Sequence, residues 1–417
     1  MPNADLRLVS RKYFGFGNAL RKQVSDFESK HPGLAVSLDF LEVHDLYEQM
    51  IVKGGCKKGD YDMMLVLTDW IPQLNRTAAL WPINSYIEGN PPEGWPGDWT
   101  PSLRKLQTDA EGNFYGLAYH DGPEVFHYRS DLFGDQLESK EFQKRYGRPL
   151  GIPKTWTEFL EVAKFFTRPK EGLWGTLVAA YPDAHNNVYD FIIQLYSRGG
   201  RMFDEKRRPQ FNSPEGIEGL QFYVDLIKKH KVAPPECLNL DSVASGDYYA
   251  KGKVAMMWNW IGFAAVAEMP SQSAIVGKNR CTTIPRGEGP RGRHTSINVY
   301  YILAITAGSK HKDESYLFLK NTGSPVSDRV TSFEGGTGTR LSTWKAPEIV
   351  SRYPFYPIME EVHKDVESPP AFPEYAEINE ILNDEIRNVT HKEKAVVQAL
   401  NDAAERASRA TQSAARD

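Results

Sequence analysis

Cysteine is scarce in this chain: the 417 residues include Cys56, Cys237 and Cys281, and no two of them stand at a C-x-x-C spacing. Three thiols cannot all pair within one chain, so neither a disulfide framework nor a zinc ribbon organises the fold. A single Cys237–Cys281 bridge and separate thiols both stay open. Long apolar runs are missing too. The longest, Met63–Leu67 and Tyr300–Ile305, are strand-sized, far short of the ~20 residues that cross a bilayer. The start, Met1-Pro2-Asn3-Ala4-Asp5-Leu6, has no charged segment leading into an apolar one, as a secretory signal would. Basic charge is not in excess: Lys plus Arg number 50 against 54 for Asp plus Glu, so the footprint of a phosphate-backbone binder is absent and no nucleic-acid partner is expected.

Catalytic signatures are absent in the same way. There is no G-x-x-x-x-G-K-[ST], no H-E-x-x-H and no G-x-S-x-G, which removes the phosphate-cradling loop, the commonest zinc hydrolases and the nucleophile elbow,. Gly15-Phe16-Gly17 lacks a third glycine at dinucleotide spacing, and Gly335-Gly336-Thr337-Gly338 follows no clear strand; both read as turns,. Two catalytic carboxylates can be picked from any acidic chain of this size, so a glycan-processing hydrolase or lyase is the rival reading, without a motif behind it.

What is present fits two or three domains of ordinary globular composition. Leu20, Val24 and Phe27 mark an amphipathic helix over 18–30, stopped by His31-Pro32-Gly33,. Leu34, Val36, Leu38 and Phe40 alternate with polar or small residues as in a strand, and Met63–Leu67 reads as a buried strand,. Strand and helix alternating in this way predict βαβ units and a mostly parallel sheet covered by helices. Further on, Thr155-Trp156-Thr157-Glu158 and Thr390-His391-Lys392-Glu393 read as capping boxes, and Ser213-Pro214 as an N-cap followed by an N1 proline,. The Ala/Ser/Arg tail after Ala403 reads as frayed,.

The unusual entry is aromatic content, 12% with 9 Trp and 20 Tyr, because many of these rings stand beside polar planar groups. Asp69-Trp70, Tyr119-His120-Asp121, Asn187-x-Tyr189, Trp258-Asn259-Trp260 and Tyr375 fall in apparent loops. Sugars present C–H faces and dense hydroxyls, so a site for them combines flat aromatic surfaces with carboxylates and amides.

The order of segments resembles the extracellular solute-binding proteins of carbohydrate ABC importers, the family that includes maltose-binding protein. Asp60-Tyr61-Asp62 runs into a strand and Thr68-Asp69-Trp70; Gly116-Leu117-Ala118-Tyr119-His120-Asp121 precedes Phe126 to Phe133; Pro153-Lys154-Thr155-Trp156-Thr157-Glu158-Phe159 follows. Ala250-Lys251-Gly252-Lys253-Val254-Ala255-Met256-Met257 is similar to the family's F-x-x-G-x-x-A-M signature, and Gly336-Thr337-Gly338-Thr339-Arg340-Leu341-Ser342 closes the series. The resemblance implies an α/β fold of two lobes, each a central sheet flanked by helices. Lobe 1 would take residues 1–121 and 285–343, lobe 2 residues 122–284 and 344–417, with a ligand cleft between them. It implies a binding protein and not an enzyme, without cofactor or metal. That protein would be a monomer that captures a mono- or disaccharide or a derivative and passes it to ABC permease subunits. The same fold binding a non-sugar solute is a further alternative. The implied location is periplasmic or extracellular if an export signal has been removed, cytoplasmic if the chain is native full length. Ligand contacts implied for lobe 1 are Arg11 with Lys12, Glu42, Asp69, Trp70, His120, Asp121 and Asn298. For lobe 2 they are Asn187, Tyr189, Trp258, Asn259, Trp260 and Tyr375, the last in a late loop. Arg340 either touches ligand or ties the loop 335–339 to a carboxylate.

Overall fold

In the computed structural model, which describes residues 4–109 and 111–414, the alternating and apolar runs become strands. They are β1 (Ala4–Arg11), β2 (Leu34–Leu41), β3 (Met63–Leu67), β4 (Leu117–His120), β5 (Glu124–Arg129), β6 (Met256–Trp260), β7 (Asn279–Thr282), β8 (Ser296–Ile297), β9 (Tyr301–Ile305) and β10 (Val366–Glu367). The helices used below are α1 (Phe14–Lys30), α2 (Trp156–Phe166), α3 (Asn186–Ser197), α4 (Pro214–Lys228), α5 (Ser242–Ala250), α6 (Pro325–Phe333), α7 (Tyr375–His391) and α8 (Val396–Ala414). None of the described helices is long and apolar enough to cross a membrane. The first three residues of the chain's start lie outside the described residues.

The chain divides into two compact units. Unit 1 comprises Met1–Gly122, Asn298–His363 and Ala371–Pro373; unit 2 comprises Pro123–Ile297, Lys364–Pro370 and Glu374–Asp417. Four stretches differ from the division expected above, two of them short: Gly122 and Ala371–Pro373 fall in unit 1. Residues 285–297 belong to unit 2, where Arg286 N donates to Lys154 O (2.9 Å) and Gly287 N to Ser197 O (2.8 Å). Residues 344–363 belong to unit 1, where Trp344 Nε1 donates to Gly338 O (2.6 Å) and the Tyr356 hydroxyl accepts from Gly338 N (3.1 Å). Hydrogen bonds of this kind carry no sequence signature, and the units differ accordingly from the boundaries that the family resemblance implies.

The unit 1 sheet has the order β2-β1-β3-β9-β4. β1 runs parallel to β2 and β3, but β9 is antiparallel to both β3 and β4, so the sheet is mixed. The chain leaves unit 1 after β4 and returns to insert β9, and a strand entering from that direction runs against its neighbours. Unit 2's three-stranded sheet, β6-β5-β7, is wholly antiparallel. Helices cover both sheets: α1 packs on β2 in unit 1 and α5 on β6 in unit 2, where α3, α4, α7 and α8 also pack on one another.

The capping signals at α2 and α4 have their expected places. Thr155 Oγ1 accepts from Glu158 N (3.3 Å) and Ser213 Oγ from Gly216 N (3.4 Å). Glu158 reaches back one residue further than a standard box, to Lys154 N (2.7 Å). Other readings need correction. Gly15 and Gly17 are not in a turn but in the first turns of α1, and a Cβ on Gly15 would sit 3.0 Å from Glu334 O and from Gly336 N; glycine there lets the helix approach that backbone. Thr390 ends α7 instead of opening a helix, its hydroxyl donating to Ile386 O (2.9 Å). The tail is helical as far as Ala414 because Ala399, Leu400, Ala403, Ala407 and Ala410 form a buried stripe of small side chains on α8,. The cysteines are free thiols, and burial pushes the Cys56, Cys237 and Cys281 thiols up to about 12.

Candidate functional site

Strand register collects the unit 1 candidates at one end of its sheet. Arg11 ends β1, Glu42 follows β2, Asp69 and Trp70 form the short turn after β3, and His120 ends β4. Tyr301 pairs with Leu67 on one side and with His120 on the other, so the start of β9 and Asn298 just before it stand at the same end. In α/β sheets this carboxyl end is where ligands bind. The register slips between Ala118 and His120, a bulge of the kind that re-aims side chains near sites.

At that end the guanidinium of Arg11 donates to the Tyr301 hydroxyl (3.0 Å), and Phe16 meets His120 and Tyr301 edge-on at 4.9 and 5.2 Å. His120 Nδ1 accepts from Thr337 N (2.7 Å), and burial lowers its pKa from 6.5 to about 4, so the ring is neutral,. Trp70 is half-buried with its ring edge-on to Tyr47 at 5.4 Å. Glu42 is exposed and pairs with Lys12 at 2.9 Å. Asp121 and Asn298 are fully buried, and Asn298 Nδ2 donates to Asp121 Oδ1 (3.0 Å). Arg340 lies apart from this group. It is 1% exposed, with Nε on Asp98 (2.7 Å), Nη1 on Gly323 O and Nη2 on Glu93 O (both 2.6 Å), and its plane covers Trp99. All its nitrogens are engaged inside unit 1 in tying down that region.

In unit 2 the pleat separates the Trp258-Asn259-Trp260 run. Trp258 and Trp260 leave one face of β6 and Asn259 the other, where its amide donates to Ser242 O of α5 (3.0 Å). Trp258 is 3% exposed, packed edge-on against Trp156 (5.3 Å) and Phe159 (5.7 Å), with Nε1 donating to Asp190 (2.6 Å); it is a core side chain. Trp260 is only half-buried. Its ring stacks on His185 (5.5 Å, 29°), meets Tyr189 edge-on (5.9 Å) and donates through Nε1 to Asn186 (3.2 Å). Asn187 is buried and bonds to Asn383 (2.9 Å), while Tyr375 is not in a loop but opens α7, its hydroxyl 3.4 Å from Asn379.

The turn that presents His185 and Asn186 is strained and pinned. Ala184 has φ +57°, a left-handed conformation costly for a residue with a Cβ,. Asp183 accepts from the backbone of His185 (3.0 Å) and Asn186 (2.9 Å), and Asn379 donates to Ala184 O. Sequence reading missed His185, Asn186 and Tyr301. For the first two the signal was in view, since Asp183 precedes a helical run as a capping residue does.

Residues 15–326 match the family of bacterial extracellular solute-binding proteins. The chain belongs to that family. A mannitol-binding protein of Pseudomonas aeruginosa is 25% identical to this solute-binding protein over 331 residues, 76% of this chain and 70% of the relative. Among solved structures, maltose-bound MalE3 of T. maritima has a TM-score of 0.83 at 22% identity, covering 97% of this chain and 99% of that one. A ribitol complex of a solute-binding protein from Agrobacterium radiobacter has a TM-score of 0.84 at 22% identity, covering 98% and 99%. These likenesses establish the fold as that of two-lobed binding proteins.

Proposed function

We propose that this solute-binding protein captures a polyhydroxylated ligand, a sugar or sugar alcohol, and delivers it to the membrane permease subunits of an ABC importer. It acts outside the cytoplasm, as a monomer and without turning the ligand over. The observation that carries the reading is Trp260, a half-buried ring held at fixed orientation by His185, Tyr189 and Asn186. A flat apolar face ringed by imidazole, phenol and amide groups suits alternating C–H and O–H chemistry. Arg11, Asp69, Trp70 and His120 at the end of the unit 1 sheet supply the same mixture of groups. The relatives bind mannitol, ribitol and maltose, which supports this class.

Isothermal titration and thermal unfolding with D-mannitol, ribitol and maltose test the reading. Ligand at ~100 times its Kd stabilises the protein by roughly 2.7 kcal/mol, and the ligand is recovered unchanged. Trp260→Ala weakens binding by about 2 kcal/mol, roughly thirtyfold in Kd, without a matching fall in stability. A panel of sugars and polyols that leaves unfolding unmoved, or a ligand returned as cleavage product, overturns the proposal.

A further inference from the structure

Glu124 opens β5 directly opposite Trp260 of β6, so both side chains leave the sheet on the face where α3 lies,. It is 2% exposed, and its Oε2 has no hydrogen-bond partner. The charge that acts on it is Asp190 of α3, also buried, whose Oδ1 accepts from Trp258 Nε1 (2.6 Å) and whose carboxyl is also approached by the Tyr223 hydroxyl and the Ala179 backbone. One turn earlier on α3, Asn187 Oδ1 is an unpartnered buried acceptor as well. This face therefore holds two acceptors in want of donors, Glu124 Oε2 and Asn187 Oδ1, and a buried acceptor without a donor is costly. The titratable group that acts on Glu124 is Asp190, and those that face Asp190 are Asp183 before α3, Tyr223 of α4 and Cys237, none of them cationic. Burial first, and then the charge of Asp190, raises Glu124 well above the ordinary carboxylate range, and burial raises Asp190 as well, so Glu124 retains a proton that an exposed carboxyl loses.

We propose that Glu124 is a ligand-reading carboxyl of this site: a hydroxyl of the bound sugar or polyol donates to it, and the proton that Glu124 carries is released to solvent as the ligand binds. The proposal rests on the receptor reading above. A hydroxyl donor is better held by a carboxylate than by a carboxylic acid, so binding and deprotonation favour each other. Affinity consequently rises with pH across the range in which Glu124 keeps its proton, by up to about tenfold per pH unit.

The experiment is calorimetric titration of the full chain with D-mannitol, ribitol and maltose in phosphate and in Tris, buffers of different protonation enthalpy, from about pH 5 to about pH 8. The wild type releases up to about one proton per ligand, and its Kd falls as pH rises. In Glu124→Gln the apparent enthalpy is the same in both buffers and the Kd no longer moves with pH. Infrared difference spectra of the wild type, which do not depend on the variant folding, lose the protonated-carboxyl stretch when ligand is added. Binding without proton release and without that spectral loss, or proton release that persists in Glu124→Gln, overturns the role of Glu124 and leaves the receptor reading standing. A panel in which nothing binds overturns both.

Discussion

His120 and His127 are buried imidazoles whose neutral form the fold requires. His120 Nδ1 accepts from Thr337 N at 2.7 Å, and His127, 3.5 Å from Cys281 Sγ, faces Asn259 O at 3.2 Å. Burial lowers each from 6.5 to about 4. Between those values the unfolded chain binds protons that the folded chain does not, so stability is complete above pH 6.5 and drains as pH falls toward 4. Each ring contributes a loss of up to about 1.4 kcal/mol per pH unit in that window. Urea unfolding followed from neutral pH downward should show the slope, and His127→Gln should remove its share; a variant with the wild-type slope would contradict the assignment. At this scale sequence and structure part over the two tryptophans of one strand. Both were visible as residues, but which is core and which is accessible is decided by what packs above each, Trp156 and Phe159 over one and His185 over the other. That information lies in other segments of the chain.

At the scale of elements, the helix starts were the most legible features because their chemistry is local. Ser213, Pro214 and the apolar spacing after them specify the start of α4 within four residues, and the structure places its cap there. Two consequences can be measured on that one turn. Ser213→Ala should cost about 1 kcal/mol. Gly216→Ala should cost more, about 1–3 kcal/mol as overpacking, since a Cβ there would fall 1.8 Å from Phe211 O. Chemical denaturation of the two variants checks the order; an alanine at Gly216 as mild as that at Ser213 would mean the preceding loop gives way. The α7–α8 turn shows the limit of local reading. Thr390-His391-Lys392-Glu393 has the residues of a capping box, yet Thr390 bonds back to Ile386 O, because the buried stripe Ile378, Leu382, Ile386 and Val389 carries α7 through it. Tertiary burial outweighs a cap worth about 1 kcal/mol.

At the scale of the whole molecule, the alternating pattern identified α/β units, while their membership was hidden because each unit is assembled from separated segments. Asp121, Asn298 and His363 show how unit 1 joins three of them. The Asp121 carboxyl accepts from Gly122 N (2.9 Å) and Asn298 Nδ2 (3.0 Å) on Oδ1, and from His363 Nε2 (2.7 Å) on Oδ2. His363 in turn touches Ser102 Oγ (2.8 Å) and stacks on Trp344 (5.0 Å, 23°). Asp121 and Asn298 each lie beside a point where the chain passes between units, and His363 is the last unit 1 residue before another. All three are buried, so removing the shared acceptor strands donors that water does not reach. Asp121→Ala should therefore destabilise unit 1 by roughly 3 kcal/mol or more, and amide exchange should quicken at Gly122, Asn298 and His363 together although they are far apart in sequence. Exchange that quickens at Gly122 alone would show that the three segments are held independently, and that the carboxyl serves only its own strand end.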